Sequence, residues 1–210
     1  RDLDLDIEQV LALRPDLVLS SLTVPGHERV VAALSAAGLP TLVLNPLSLP
    51  DVYASIREIA AALGLAERGE RLVAQMCAAM PPVTVPGPRR RVLVEWWPKP
   101  VIAPARQSWV NGLLELAGAV NPWEDAPGPS ITLETGDVLE RQPELVIMSW
   151  CGVQERHYRP QLVRRRPGWM EVEAVRAGRI HAISEAYLGR PGPRLVEGYR
   201  RLRELIGDCD

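Results

Sequence analysis

Along this chain, stretches with a helical apolar period are stopped by a proline or glycine and followed by short runs of consecutive apolar residues. Residues 6–13 have the helical period, and Pro15 ends it because its ring cannot continue the turn. Leu17-Val18-Leu19 is short and wholly apolar, which fits a buried parallel strand. Residues 26–37 read as an amphipathic helix ended by Gly38, and Thr41-Leu42-Val43-Leu44 as the next strand. Asp51 is placed to cap a helix over 52–63 that Gly64 stops, and a further helix is expected over 66–80. The proline-rich stretch 81–88 cannot be helical and forms the natural boundary between halves. Beyond it the pattern predicts a strand over 91–95, a loop over 96–108, a helix over 109–118 and a Pro/Gly-rich loop over 119–135. After 137–149 come a loop over 150–159, helical material to about 177, a strand over 179–183 and a loop over 184–192. A last helix is expected over 193–206, with Pro193 at its first position.

One phrase occurs twice. Val10-Leu11-x-x-x-Pro15-Asp16-Leu17-Val18-Leu19-x-Ser21 returns as Val138-Leu139-x-x-x-Pro143-Glu144-Leu145-Val146-Ile147-x-Ser149. Each copy reads as a helix end, a proline stop and a buried strand running into a loop. The halves also share a later helix ending in Ala-Gly before a strand, at Ala37-Gly38 and Ala177-Gly178. Two similar α/β lobes imply a cleft between them and hence a ligand. By the same repeat logic the first lobe lacks roughly 40 residues, about one βα unit, which would leave a sheet edge or core face uncovered.

Composition narrows the classes. Hydrophobic residues make up 47% and charged residues 24%, ordinary for a globular protein. A net charge of −2 gives no bulk attraction to nucleic acid, and the basic runs Arg89-Arg90-Arg91 and Arg164-Arg165-Arg166 read as solvated lobe surface. No apolar run approaches the roughly 20 residues of a membrane span. The chain opens on Arg1-Asp2-Leu3-Asp4 with no signal peptide, so it is expected to be cytoplasmic if natural as given, or periplasmic or surface-anchored if a signal was removed. Phe is absent while Trp occurs 6 times, so most of the large aromatic surface is indole.

Three cysteines, none close in sequence, argue against a disulfide framework and against a CxxC site. Cys77 falls in a helical pattern and is expected in the core; Cys209 lies in the tail. Cys151 has His157 nearby but forms no recognisable nucleophile motif. His27, His157 and His181 are the only histidines, too few for a dedicated metal site, although His27 and His157 fall on loops or helix starts of opposite lobes. No GxSxG, HExxH or GxxxxGK[ST] is present, and no enzymatic activity is expected.

The lobe order and the Pro-Asp-Leu-Val phrase resemble the helical-backbone substrate-binding proteins of ABC importers, which carry cobalamin, iron siderophores and haem. Glu95-Trp96-Trp97-x-x-Pro100, Trp109-Val110-x-x-Leu113-Leu114-Glu115-Leu116-Ala117-Gly118, Pro167-Gly168-Trp169, Ala174-Val175-Arg176-Ala177-Gly178-Arg179-Ile180 and Arg190-Pro191-Gly192-Pro193-Arg194-Leu195-Val196-Glu197 look like the cobalamin-binding branch. The resemblance implies two Rossmann-like α/β lobes joined by a long linker helix. Residues 1–65 would be an N-terminal lobe lacking its first βα unit, 66–80 the linker helix and 81–210 the C-terminal lobe. The ligand would lie between the lobes, at loops after the carboxyl ends of strands.

On this map Trp96 and Trp97 follow a strand and offer flat area to a corrin-like or aromatic ligand, and Trp150 and Tyr187 stand at equivalent places in later loops. Trp109 reads equally as core or cleft, and Trp169 as core. Arg106 and Arg190 would pair with polar ligand edges, or else serve as surface and capping arginines. His157 is a further candidate as an axial ligand to a bound cobalt or haem centre. The family docks one acidic residue per lobe onto permease arginines. Glu8 matches on the first lobe; the corresponding second-lobe position is Gly136, with Asp137 and Glu134 beside it. The implied function is capture of cobalamin or a related corrinoid for an ABC importer, with no intrinsic cofactor and a monomeric state. The alternatives are an iron siderophore or haem as ligand, a cytosolic corrinoid-handling protein of the same fold, and a lobe pair that binds nothing.

Overall fold

Capping and turn chemistry set the first lobe. The structure, a computed structural model, describes residues 5–24 and 26–207. Helix α1 (Ile7–Leu13) starts where the Asp6 side chain accepts from the Gln9 N–H at 3.0 Å, and ends at Arg14 in a left-handed conformation just before Pro15. Strand β1 (Val18–Ser21) follows, then α2 (His27–Ala36) and β2 (Thr41–Leu44). β1 and β2 pair in parallel from Val18 opposite Thr41 to Ser21 opposite Leu44. This lobe is thinly packed. α1 buries no residue, α2 buries only Leu34, and Leu19 in β1 is 50% exposed. Among the described residues β1 has a strand on one side alone, the uncovered edge that the repeat logic anticipates.

Two helices connect the halves. Helix α3 (Leu49–Ala62) begins three residues earlier than expected. Ser48, not Asp51, is its cap: the Ser48 hydroxyl accepts from the Asp51 N–H at 3.3 Å, and Pro50 fits the first turn. Asp51 instead takes the Leu47 N–H at 3.1 Å. Gly64, at φ +70°, turns the chain into α4 (Ala66–Ala79), which folds back on α3 as a hairpin. The two helices pack closely at Gly69, where an added Cβ would sit 2.5 Å from the Ala60 Cβ. Leu49 and Val52 from α3, and Met76 and Met80 from the α4 end, all enter the core of the second lobe. The connection anticipated as a single helix over 66–80 therefore shares its packing with α3. Cys77 is exposed rather than core, because α4 buries the face of Gly69, Val73 and Met76 and Cys77 lies one position off it.

The second lobe opens with β3 (Arg90–Glu95), β4 (Trp97–Pro98), β5 (Val101–Pro104), α5 (Trp109–Leu116), β6 (Ala119–Val120), β7 (Ser130–Leu133) and α6 (Thr135–Arg141). It continues with β8 (Leu145–Met148), α7 (Pro160–Arg164), α8 (Glu173–Arg176), β9 (Ile180–Ala182), α9 (Glu185–Leu188) and α10 (Leu195–Gly207). Its main sheet is parallel, in the order β6-β3-β8-β9, and covered on both faces. One core gathers α5, α10 and the helical hairpin. The other gathers Trp123, Trp150 and Trp169 with Val138, Val163 and Val175. Burial on both sides explains the unbroken apolar runs of β3 and β8.

The repeat is a structural one. α6 ends at Gln142 in the left-handed conformation before Pro143, as α1 ends at Arg14 before Pro15. Among the described residues, Arg14 and Gln142 are the only non-glycine positions with positive φ. The β8–β9 pair is the counterpart of β1–β2, while among the described residues β3 and β6 have no first-lobe equivalent. The molecule is thus built of two α/β lobes, the second complete around its sheet.

Candidate functional site

The carboxyl ends of β3, β8 and β9 lie side by side and deliver three loop starts: Glu95-Trp96-Trp97, Ser149-Trp150-Cys151 and Ile183-Ser184-Glu185. Open α/β sheets bind ligands at this edge. Backbone bonds align the loops: the Ser149 N–H donates to the Glu95 carbonyl and the Cys151 N–H to the Trp96 carbonyl, both at 2.9 Å.

Behind the edge sits a buried charge. Glu95 is fully buried, and its carboxylate accepts from Arg166 Nη1, from Arg166 Nη2 at 3.1 Å and from Trp150 Nε1 at 3.0 Å. Arg166 also donates to the Pro98 carbonyl at 3.3 Å and lies over the Trp169 ring, 4.4 Å from its centre. A carboxylate out of water is tolerated when paired and saturated in this way. Trp150 is only 3% exposed, so it does not line an open cleft as the sequence reading expected. Its indole N–H is committed to Glu95, and its carbonyl accepts the Tyr158 hydroxyl at 3.0 Å.

The remaining candidates divide. Trp96 is half-buried against Trp109, with ring centres 6.3 Å apart, and Gly189 passes close to its ring edge. Trp109 is core, its Nε1 donating to the Leu188 carbonyl at 2.7 Å. Trp97, next in the chain, leaves for the small antiparallel sheet β4-β5-β7; it is 41% exposed and donates to the Lys99 carbonyl at 3.0 Å. Tyr187 packs partly against the core, under Arg201. Arg190 is exposed and donates to Glu185 at 3.2 Å. Arg106 stands apart from this group: its guanidinium donates to the Asp125 carbonyl, its N–H to the Ala126 carbonyl at 2.9 Å, and its own carbonyl accepts from Asn111. It braces the loop before β7. The structure thus gathers Trp96, Cys151, Glu185, Tyr187 and Arg190 into one rim, and leaves Trp150 beneath it and Arg106 outside it.

Electrostatics keep this rim chemically quiet. Although Cys151 is exposed at the surface, desolvation by the atoms packed around its thiol, reinforced by the neighbouring Glu185 carboxylate, pushes the thiol up to about 11 against the opposing pull of Arg190. A protonated thiol is a poor nucleophile and a poor metal ligand. Tyr158 is held up to about 12, chiefly by burial, with Glu185 nearby. Among the described residues no group of three or more His, Cys, Asp or Glu is placed to hold a metal ion. His27 Nδ1 lies 3.0 Å from the Ser21 carbonyl. Two concavities, of about 170 and 370 Å³, lie on the second lobe, and the larger adjoins the Glu95–Arg166 pair behind the rim. The first is bordered by Trp123, Asp137 and Arg141, the second by Pro98, Leu133 and Trp169, and neither includes a first-lobe residue.

The docking candidates sit on equivalent helices. Glu8 is exposed in the first turn of α1. Asp137 is exposed in the first turn of α6, where its carboxylate accepts from the Glu134 N–H at 2.8 Å in a capping box. Gly136, between them, faces open space.

Comparison with known proteins places this architecture. Residues 1–187 match the periplasmic binding protein family, and the chain belongs to it. An uncharacterised ABC transporter substrate-binding lipoprotein of Bacillus subtilis is 26% identical, over 98% of this chain and 66% of its own length. A vitamin B12-binding protein of Pectobacterium carotovorum is 24% identical, over 91% of this chain and 67% of its own. The solved structure of a periplasmic haem-binding protein from Roseiflexus, in apo form, superposes with a TM-score of 0.77 at 26% identity, covering 98% of this chain and 80% of that one. The chain spans about two thirds of the length of the curated relatives it matches. No helix among the described residues is long and apolar enough to cross a membrane.

Proposed function

We propose that this chain is the substrate-binding component of an ABC importer and that it captures cobalamin or a related corrinoid at the rim formed by the loops after β3, β8 and β9. The observation that carries the reading is the grouping of an indole (Trp96), a phenol (Tyr187) and a cation (Arg190) at the carboxyl edge of a parallel sheet. A corrinoid presents a broad apolar face edged by amides. Trp96 supplies flat contact area at low entropic cost, Tyr187 an aromatic edge with a hydroxyl, and Arg190 donors for the polar edge. Family membership and the vitamin B12-binding relatives support the ligand class. The haem-binding neighbour supports a second reading, haem or a ferric siderophore, for the same edge.

In this reading the protein binds and releases its ligand unchanged, as a monomer outside the cytoplasmic membrane. It then offers Glu8 and the acidic start of α6, Asp137 with Glu134, to cationic groups of a permease. Calorimetric titration with cyanocobalamin, haemin and a ferric hydroxamate tests the ligand. Saturable one-to-one binding of cyanocobalamin with micromolar or tighter affinity is expected. Preference for haemin or the hydroxamate would move the assignment to the second reading, and no binding by folded protein would refute both.

A further inference from the structure

Arg201 stands on α10, beneath the loops that follow β8 and β9. Its Nε donates to Glu197 at 2.8 Å and its Nη1 to Glu155 at 3.3 Å, while its guanidinium carbon lies 4.7 Å from the centre of the Tyr187 ring. Glu197 is itself gripped by Arg200 through two bonds of 2.8 and 2.9 Å, so the anchor of Arg201 is held from both sides. The backbone of Tyr187 rests on the same helix. A Cβ added at Gly198 would lie 2.2 Å from the Tyr187 carbonyl oxygen. One arginine therefore reaches two of the three loops of the rim, at the turn Glu155–His157 and at helix α9. An isolated surface ion pair needs one carboxylate, and ordering a long side chain on three partners costs rotamer entropy. The planar guanidinium meets all three at once, forking to the carboxylates while its face covers the ring.

We propose that Arg201 is a positioning residue for ligand capture: it fixes the Tyr187 ring and the Glu155 loop in the arrangement a bound ligand meets, without contacting the ligand. The inference rests on the rim being the binding face. It predicts that Arg201 acts through Tyr187, and a double-mutant cycle reads this directly.

The cycle compares wild type, Arg201→Ala, Tyr187→Ala and the double variant by calorimetry, with cyanocobalamin, haemin and a ferric hydroxamate as probes. Thermal unfolding is run in parallel to establish that each is folded. Arg201→Ala is expected to weaken binding about five- to tenfold, and the loss is expected to shrink below about twofold in the Tyr187→Ala background. Arg201→Lys, which keeps the charge but not the planar stack, is expected to fall between. If Arg201→Ala does not fold, Arg201→Lys and Glu155→Ala carry the cycle with the same sign. Equal affinity with and without the arginine, or an equal loss whether or not Tyr187 is present, overturns the proposal alone. Wild-type protein that binds none of the probes overturns the parent reading and this one with it.

Discussion

Glu95 is the residue on which the second lobe's carboxyl edge depends. Its carboxylate is fully buried and shared between Arg166 and Trp150, so removing either the charge or a donor strands a partner. Glu95→Ala leaves a largely buried guanidinium unpaired and should lower unfolding free energy in urea by about 3–5 kcal/mol. Trp150→Phe drops the N–H together with the pyrrole half of the indole, and should cost about 1–3 kcal/mol in the same measurement. A loss from Trp150→Phe as large as that from Glu95→Ala would mean that indole packing, not the hydrogen bond, is what matters there. Cys151 gives a pH test. Its thiol is raised from an ordinary 9.0 to about 11, so the stability it contributes is complete below about pH 9 and is lost as pH climbs through about 11. Alkylation of Cys151 by iodoacetamide, followed by peptide mass spectrometry, should stay slow near neutral pH and accelerate only as pH approaches 11. Rapid modification at neutral pH would contradict the assignment.

At the scale of elements, two glycines with opposite surroundings separate packing from propensity. Gly69 lies where α3 and α4 touch, and an added methyl must displace Ala60. Gly69→Ala should therefore lower stability by a net of about 1–2 kcal/mol despite the better helix propensity of alanine. Gly136, in α6, has nothing near it, and Gly136→Ala should raise stability by about 0.5–1 kcal/mol. Thermal unfolding of the two variants should shift in opposite directions. Elements with clear periodicity were legible from the sequence: α1, α2, β1, β2, α4 and β8 lie where apolar spacing and stop residues put them. The small sheet β4-β5-β7 was not. Pro98 and Pro104 sit inside its strands, and proline reads as loop because it cannot donate to a ladder. The sequence offers Asp51 as the cap of α3; the structure gives that place to Ser48, with Pro50 in the first turn, where proline fits a helix. At the site, aromatic residues after strands were easy to find from chain order, but their burial was not. Trp96, Trp97 and Trp150 look alike in sequence. Only its bond to Glu95, itself paired with Arg166 71 positions further on, makes Trp150 part of a buried network, and no local pattern announces partners so far apart.

For the whole molecule, the repeated unit explains both what is symmetric and what differs. The left-handed turns at Arg14 and Gln142 aim β1 and β8 alike, but only β8 has β3 beside it. This is why β8 is buried along its length while β1 is partly exposed. The same symmetry sets Glu8 and Gly136 at matching helix starts, and Gly136 faces open space. Gly136→Glu is expected to fold normally and to tighten binding to the permease several-fold in vesicle-reconstituted transporter, with a gain that fades at high salt. Unchanged affinity would argue that α6 does not meet the permease.

The central claim is that ligand is held at the carboxyl edge of β3, β8 and β9. Amide hydrogen exchange with and without cyanocobalamin tests it most directly. The account predicts added protection at the backbone of 95–97, 150–157 and 184–191, and none around the concavities bordered by Trp123 and Trp169. Protection centred on those concavities, or a saturated complex with no change at the three loops, would contradict it.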